Sequence, residues 1–188
     1  MENRVIILSA PSGCGKTTLL KALMERGLPL EFSVSATSRQ KREGEQDGRD
    51  YYFFTPEQFR EKVEQGAFLE WNEVYTGQYY GTLLSEVDRI AQNGHHVIFD
   101  VDVKGGLSIK ERFGERALAV FVMPPSIEVL RQRLLNRGTE TPESVEKRLK
   151  RADYEISFSD RFDYVLVNDD LDTAIKEAYG LISGFLAS

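Results

Sequence analysis

The chain has 188 residues, the size of one domain with room for small inserted subdomains around a single core. Its net charge of −6 excludes general electrostatic attraction to nucleic acid or to an anionic membrane, so phosphate binding has to come from local basic clusters. One cysteine permits no intrachain disulfide, no apolar stretch approaches membrane-spanning length, and the N-terminus lacks a signal-peptide pattern, so the expected compartment is the cytoplasm.

The apolar run at 5–8 (VIIL) reads as a buried strand and passes directly into SAPSGCGKTT at 9–18, the Walker A pattern. Ala10, Pro11, Ser12, Gly13, Cys14, Gly15, Lys16, Thr17 and Thr18 are therefore the expected cradle for a triphosphate. Successive backbone N–H groups at a helix N-terminus hold phosphates, a lysine brings charge to the β/γ-phosphates, and the following hydroxyl ligates Mg²⁺. Lys16 and Thr17 supply those two side chains. Ala10 stands where the pattern has glycine, so the turn there either has a negative φ or accepts strain. Cys14 reads as a small residue of the loop, and a helix is predicted over 16–26 with Leu19, Leu20, Leu23 and Met24 on one face.

Residues 35–82 are polar, aromatic and basic in turn. Short strands are predicted at 51–54 (YYFF), 68–71 (FLEW) and 74–75 (VY) around a helix at 56–65, giving a mostly antiparallel insertion. Arg39 and Arg42 lie just beyond a further strand, with Tyr51 nine residues on. Guanidinium forks and a phenol suit a second phosphate, while KREGEQDGRD also reads as a solvated charged loop.

The strand predicted at 97–101 (VIFDV) carries Asp100 in the Walker B pattern, which puts that carboxylate near the magnesium shell, through water. Asp102 follows two residues later, on the same strand face. His95 and His96 have no metal-ligand spacing and read as structural. A helix at 105–112, a strand at 118–122, a helix at 126–137, a helix at 142–157, a strand at 164–167 and a helix at 171–186 complete the pattern. Thr55-Pro56 and Thr141-Pro142 read as helix starts, and Gly66, Gly94 and Gly138 as stops. Alternating strands and helices predict an α/β fold whose parallel sheet is covered on both faces, with the ligand crevice at the carboxyl ends of the strands.

SVSATSRQKREGEQDGRDYYFF, FLEW, YYGT, IFDVDVKG, RGTET and VNDD occur in that order across essentially the whole chain and resemble guanylate kinase. The resemblance implies a P-loop three-layer α/β/α fold with a parallel central sheet, an inserted mixed α+β GMP-binding subdomain at 35–82 and a short helical lid at 133–148. The core would then be 1–34, 83–132 and 149–188. It implies that Arg39, Arg42, Tyr51 and Tyr80 hold the GMP phosphate, that Ser35, Glu70 and Thr82 read the guanine, and that Asp100 and Asp102 organise magnesium-bound water and the GMP base. It further implies that Arg133, Arg137 and Arg148, with Lys16 and Arg39, serve the transferring phosphoryl group and that Asn168 contacts the adenine of ATP.

The chemistry of Glu70 fits. Guanine offers N1–H and N2–H₂ as adjacent donors that one carboxylate accepts together, whereas adenine has an acceptor at N1. The expected reaction is ATP-dependent phosphorylation of GMP and dGMP by direct in-line transfer, with Mg²⁺ as cofactor. The expected partners are ATP and GMP, not nucleic acid or membrane, with the oligomeric state open. Lys104 stands where glutamine is more usual, Lys41 where proline is common, and an extra residue near Thr76-Gly77 lengthens the turn before Tyr79-Tyr80; Ala10 and Ser38 are minor departures. Two other readings are a phosphopeptide-binding scaffold domain and a kinase for dTMP or AMP. Intact Lys16 and Thr17 speak against the first, and Glu70 with Ser35 and Thr82 against the second.

Overall fold

A computed structural model describes residues 3–136 and 141–188; Arg137, the stop at Gly138 and the rest of the tip, Thr139 and Glu140, lie outside the described residues. In chain order, β1 (Val5–Ser9) runs into α1 (Lys16–Met24), and β2 (Leu30–Phe32) follows. The chain then forms β3 (Ala36–Thr37), β4 (Tyr52–Phe53), α2 (Pro56–Glu64), β5 (Phe68–Tyr75) and β6 (Gln78–Leu83). It continues through α3 (Leu84–Gln92), β7 (His96–Asp100), α4 (Val103–Phe113), β8 (Ala117–Met123), α5 (Ile127–Leu135), α6 (Pro142–Ile156), β9 (Tyr164–Val167) and α7 (Leu171–Ala187).

Five strands make one parallel sheet in the order β2-β7-β1-β8-β9. Every residue of β1 is buried, as a strand covered on both faces requires. Successive side chains point to opposite faces. Ile6 and Leu8 join Ile98 and Val120 in a core closed by Leu19 and Leu23 of α1, Leu149 of α6 and Ile175 and Ile182 of α7. Val5 and Ile7 join Val97, Phe99 and Phe121 on the other face, closed by Ile90 of α3 and Ile109 of α4. This is the three-layer architecture expected, and α7 spends its apolar face on the first of these cores.

A second, four-stranded sheet runs β4-β3-β6-β5; β3 and β4 are parallel and the other neighbours antiparallel. Phe59 of α2 lies under it, stacked on Phe68 with ring centres 4.4 Å apart. The stretch predicted as two short strands is one continuous strand of eight residues, β5, hairpinned to β6 through Thr76 and Gly77. Its second half alternates exposed and half-buried residues, so the apolar signal fades where the strand continues. β2 is absent from the predicted elements because three residues carry no periodicity.

Both threonine starts act as caps: Thr55 Oγ1 accepts from the Gln58 N–H and Thr141 Oγ1 from the Ser144 N–H, each at 3.2 Å. Gly66 and Gly94 lie just beyond α2 and α3 with φ of 67° and 76°. Where the chain leaves β2 for the second sheet, the Val34 N–H donates to Glu86 Oε2 at 3.0 Å; Glu86, on α3, is 2% exposed.

Candidate active site

Parallel strands bring their carboxyl ends to one edge of the sheet. There the loop after β1, the Asp100 end of β7 and the Asn168 end of β9 converge, and the chain leaving β2 delivers Ser35. The register pairs Leu8 with Asp100, so the acid sits beside the entry to the loop. Within the loop Gly13 and Gly15 take φ of 100° and 82°, the left-handed region, and no other residue type among the described residues has positive φ. Ala10 therefore sits in ordinary backbone, as its side chain demands. A side chain at Gly15 would also bring its Cβ within 2.5 Å of Asn168 Nδ2.

Lys16 Nζ lies 2.5 Å from Asp100 Oδ1 and donates to the Val101 carbonyl at 3.2 Å, which holds the ammonium at the mouth of the loop. Thr17 and Thr18 stand exposed in the first turn of α1. Asp102 differs from its expected place: β7 ends at Asp100, and Asp102 caps α4, its Oδ1 accepting from the Gly105 N–H at 2.8 Å. The short carboxylate is used by the helix start, and the strand ends one residue before its predicted end at Val101. Even so, Asp100 and Asp102 both line the central cleft.

That cleft has a volume of about 390 Å³. The loop residues Ala10 to Thr18 line one side, and Ser35, Tyr51, Glu70 and Tyr80 the other. Glu70 accepts from the Thr82 hydroxyl at 2.8 Å, and the Asn72 amide approaches its other oxygen at 3.5 Å. Burial, with Asp102 adding to it, pushes the Glu70 carboxyl up to about 7. A Cβ on Gly105 would sit 2.8 Å from Glu70 Oε2, so only glycine lets the start of α4 come this close to the acid. Thr82 is 1% exposed and reaches the cleft only through Glu70. Burial also raises the Tyr51 hydroxyl above its ordinary value, which keeps the phenol a neutral donor.

The cations are dispersed. Arg39 forms a two-pronged pair with Glu45 at 2.6 and 2.7 Å and lies 4.9 Å from the centre of the Tyr51 ring. This raises the guanidinium further and holds Glu45 down to about 2. Arg42 is exposed; its backbone N–H donates to the same carboxylate at 2.8 Å. Arg148 donates to Ser12 Oγ at 2.6 Å. Arg133 donates to the Asn168 and Asp169 carbonyls at 2.9 and 3.2 Å and lines, with Asn168, a second cavity of about 220 Å³ behind the loop. Asn168 Nδ2 donates to the Cys14 carbonyl at 2.6 Å; its Oδ1 is buried with no partner among the described residues. His95 pairs with Glu31 at 3.1 Å and His96 Nδ1 accepts from the Arg4 N–H at 3.0 Å, both remote from the cleft.

Three participants escaped the sequence reading. Asn72 carries a legible signal, being two residues from Glu70 on the same strand face. Glu45 lies inside the charged loop, where nothing local singles it out. Glu155 of α6 lines the cleft with its carboxyl raised by burial, and only the tertiary fold brings it there. Chemically, one cleft thus combines a phosphate loop, a lysine and two acids with a largely buried acceptor carboxylate. Among the described residues no helix is long and apolar enough to cross a membrane.

Comparison with known proteins agrees with this geometry. The family described as guanylate kinase matches residues 2–183. The guanylate kinase of Porphyromonas gingivalis is 51% identical over 185 residues, covering 98% of each chain. That of Bacteroides fragilis is 50% identical over 185 residues, 98% of this chain and 91% of its own. The crystal structure of guanylate kinase from Anaplasma phagocytophilum superposes with a TM-score of 0.79 at 31% identity, covering 97% of this chain and 85% of that one.

Proposed function

The chain belongs to the guanylate kinase family, and on that premise we propose a two-site transfer in which the phosphate loop holds ATP and the Glu70 side of the cleft holds GMP. The reaction is ATP-dependent phosphorylation of GMP to GDP. In our reading the γ-phosphoryl group passes directly and in line between the two substrates, with no covalent intermediate on the protein. The observation that carries this reading is that Lys16 and Glu70 line the same cleft of about 390 Å³. Donor and acceptor groups so placed face each other across a space that two substrates' reacting ends can share, which makes positioning the main source of rate.

Each side chain then has a task. Loop N–H groups and Lys16 neutralise the phosphates of ATP, while Glu70 accepts from guanine N1–H and N2–H₂ and Thr82 orients it. Tyr51, Tyr80, Arg39 and Arg42 serve the GMP phosphate, with Arg39 exchanging Glu45 for phosphate oxygens of the same geometry. Ser35 and Asp102 complete the base side. Arg133 and Arg148 move in as the segment 133–148 closes over the acceptor insertion 35–82, and Arg137 belongs to the same proposed group. Asn168 meets the adenine. dGMP is proposed as a second acceptor, since the guanine match to Glu70 is the same for both nucleotides.

Mg²⁺ fits this cleft. Thr17 and Asp100 offer hard oxygen donors, and among the described residues no cluster of three or more His, Cys, Asp or Glu would cage an ion alone. Such a sparse set suits an ion that is shared with substrate phosphates and keeps several waters, Asp100 acting through water. When bound it supplies neutralisation of phosphate charge. We place the enzyme in the cytoplasm, acting on small molecules and on neither nucleic acid nor membrane.

A coupled assay for ADP with GMP, dGMP, AMP and UMP tests the proposal. ADP is expected with the two guanine nucleotides, and ADP formation with none of the four sinks it. A pH dependence follows as well. Glu70 is raised to about 7, so below that pH it is a protonated carboxyl that cannot accept both guanine donors. GMP affinity should fall by up to about tenfold per pH unit below about 7 and level off above it. Phosphate itself titrates near 6, so equilibrium dialysis between about pH 6 and 8 is the diagnostic window, and a flat profile there refutes the assignment.

A further inference from the structure

Helix α6 reaches both sides of the cleft with side chains three residues apart. Arg148 donates to Ser12 of the phosphate loop at 2.6 Å. Arg151, one turn on, donates through Nη1 to the Val74 carbonyl at 3.1 Å and through Nε to the Glu155 carboxylate at 2.9 Å. Its guanidinium also lies 5.1 Å from the centre of the Tyr75 ring, which Lys147 approaches at 5.8 Å. A planar fork serves a carbonyl, a carboxylate and a ring face in one fixed geometry, which the compact ammonium of lysine matches only in part.

The strand end that Arg151 grips is special. β5 is the edge of its sheet, and its pairing with β6 slips between Glu73 and Tyr75, leaving Val74 at a bulge. Bulges unpair backbone groups and redirect the strand. Glu70, Asn72 and Val74 all line the cleft, together with Tyr75 and Glu155. The Arg151 contact with the bulge therefore joins α6 to the strand that presents Glu70.

We propose that Arg151 is a positioning residue for the acceptor: by clamping the bulge of β5 to α6 it sets the Glu70 face at its working distance from the phosphate loop. The inference rests on the reading of the Glu70 side as the GMP site. It makes Arg151 act on GMP affinity and leave ATP affinity alone.

The test compares wild type, R151A and R151K by isothermal titration with GMP in the absence of ATP, by KM for each substrate, and by melting temperature. R151A should weaken GMP binding about tenfold, the scale of one lost charge-assisted contact, with KM for ATP changed less than twofold. R151K should recover part of the loss, and serves as the deciding variant if R151A does not fold. Unchanged GMP affinity in the variant, or equal losses for GMP and ATP, overturns the clamp. A lowered melting temperature with GMP affinity intact also overturns it, since that assigns Arg151 to stability alone. Absence of GMP-dependent ADP formation in the wild type would instead refute the underlying site assignment.

Discussion

Lys16→Met is expected to lower kcat by about 10³-fold or more while leaving the fold intact. Lys16 Nζ is held at the loop mouth by Asp100 at 2.5 Å and the Val101 carbonyl at 3.2 Å, poised where the β- and γ-phosphates of ATP would lie. Charge spreads over the equatorial phosphate oxygens as the phosphoryl group transfers, and a preorganised cation there is worth several kcal/mol. Methionine keeps most of the stem and removes the charge together with the ammonium's contacts to Asp100 and the Val101 carbonyl. The Lys16 side chain is 17% exposed and lines the open cleft, so the substitution leaves no sealed void. The coupled assay and a thermal melt check this together. A kcat within tenfold of wild type would show that the loop backbone alone carries the catalysis.

Glu70→Gln should reduce kcat/KM for GMP by about 10³-fold, with KM for ATP changed less than twofold. Thr82 keeps one oxygen of the side chain occupied at 2.8 Å, so the amide would turn its NH₂ toward guanine and set donor against donor. Stability should move the other way. A carboxyl raised from 4.5 to about 7 binds its proton more tightly in the folded state, so its charge costs folding stability as pH rises from 4.5 through 7. The neutral amide removes that cost. At pH 8 the variant should therefore melt no lower than wild type while losing GMP turnover, and a matched loss of both would assign Glu70 to the fold. Steady-state kinetics with GMP varied at saturating ATP is the measurement.

The sequence made the parallel sheet legible wherever burial on both faces produced an unbroken apolar run. β1, β7 and β8 carry such runs, the edge strand β9 has an apolar run although Val165 and Val167 are exposed, and the phosphate loop follows from β1 by spacing alone. β2 and β6 were harder for different reasons. β2 is three residues long, and β6 carries glycine and two adjacent tyrosines in place of a clean alternation. In the site, types and spacings pointed to Lys16 and Asp100 because each lies within or just beyond an element with its own signal, whereas Glu70 stood out only through the family resemblance. Partners made by the tertiary fold left no such trace. The Glu45 pair on Arg39 and the contact of Arg151 with Val74 join groups whose neighbours in sequence are ordinary charged residues. Asp102 shows a milder case: its position beside Asp100 was legible, but the use of its carboxylate as a helix cap depends on where α4 begins.

The second sheet is drawn entirely from one unbroken stretch, Ala36 to Leu83, entered beside Val34 and left where α3 begins. The entry is pinned by Glu86, which belongs to α3 and so to the exit. The parallel sheet and its phosphate loop thus close around this stretch without borrowing a strand from it. In architectural terms the stretch is an insertion with its two ends fastened at one place. A change of length inside it, at a turn such as Thr76-Gly77, would therefore leave the register of the parallel sheet untouched.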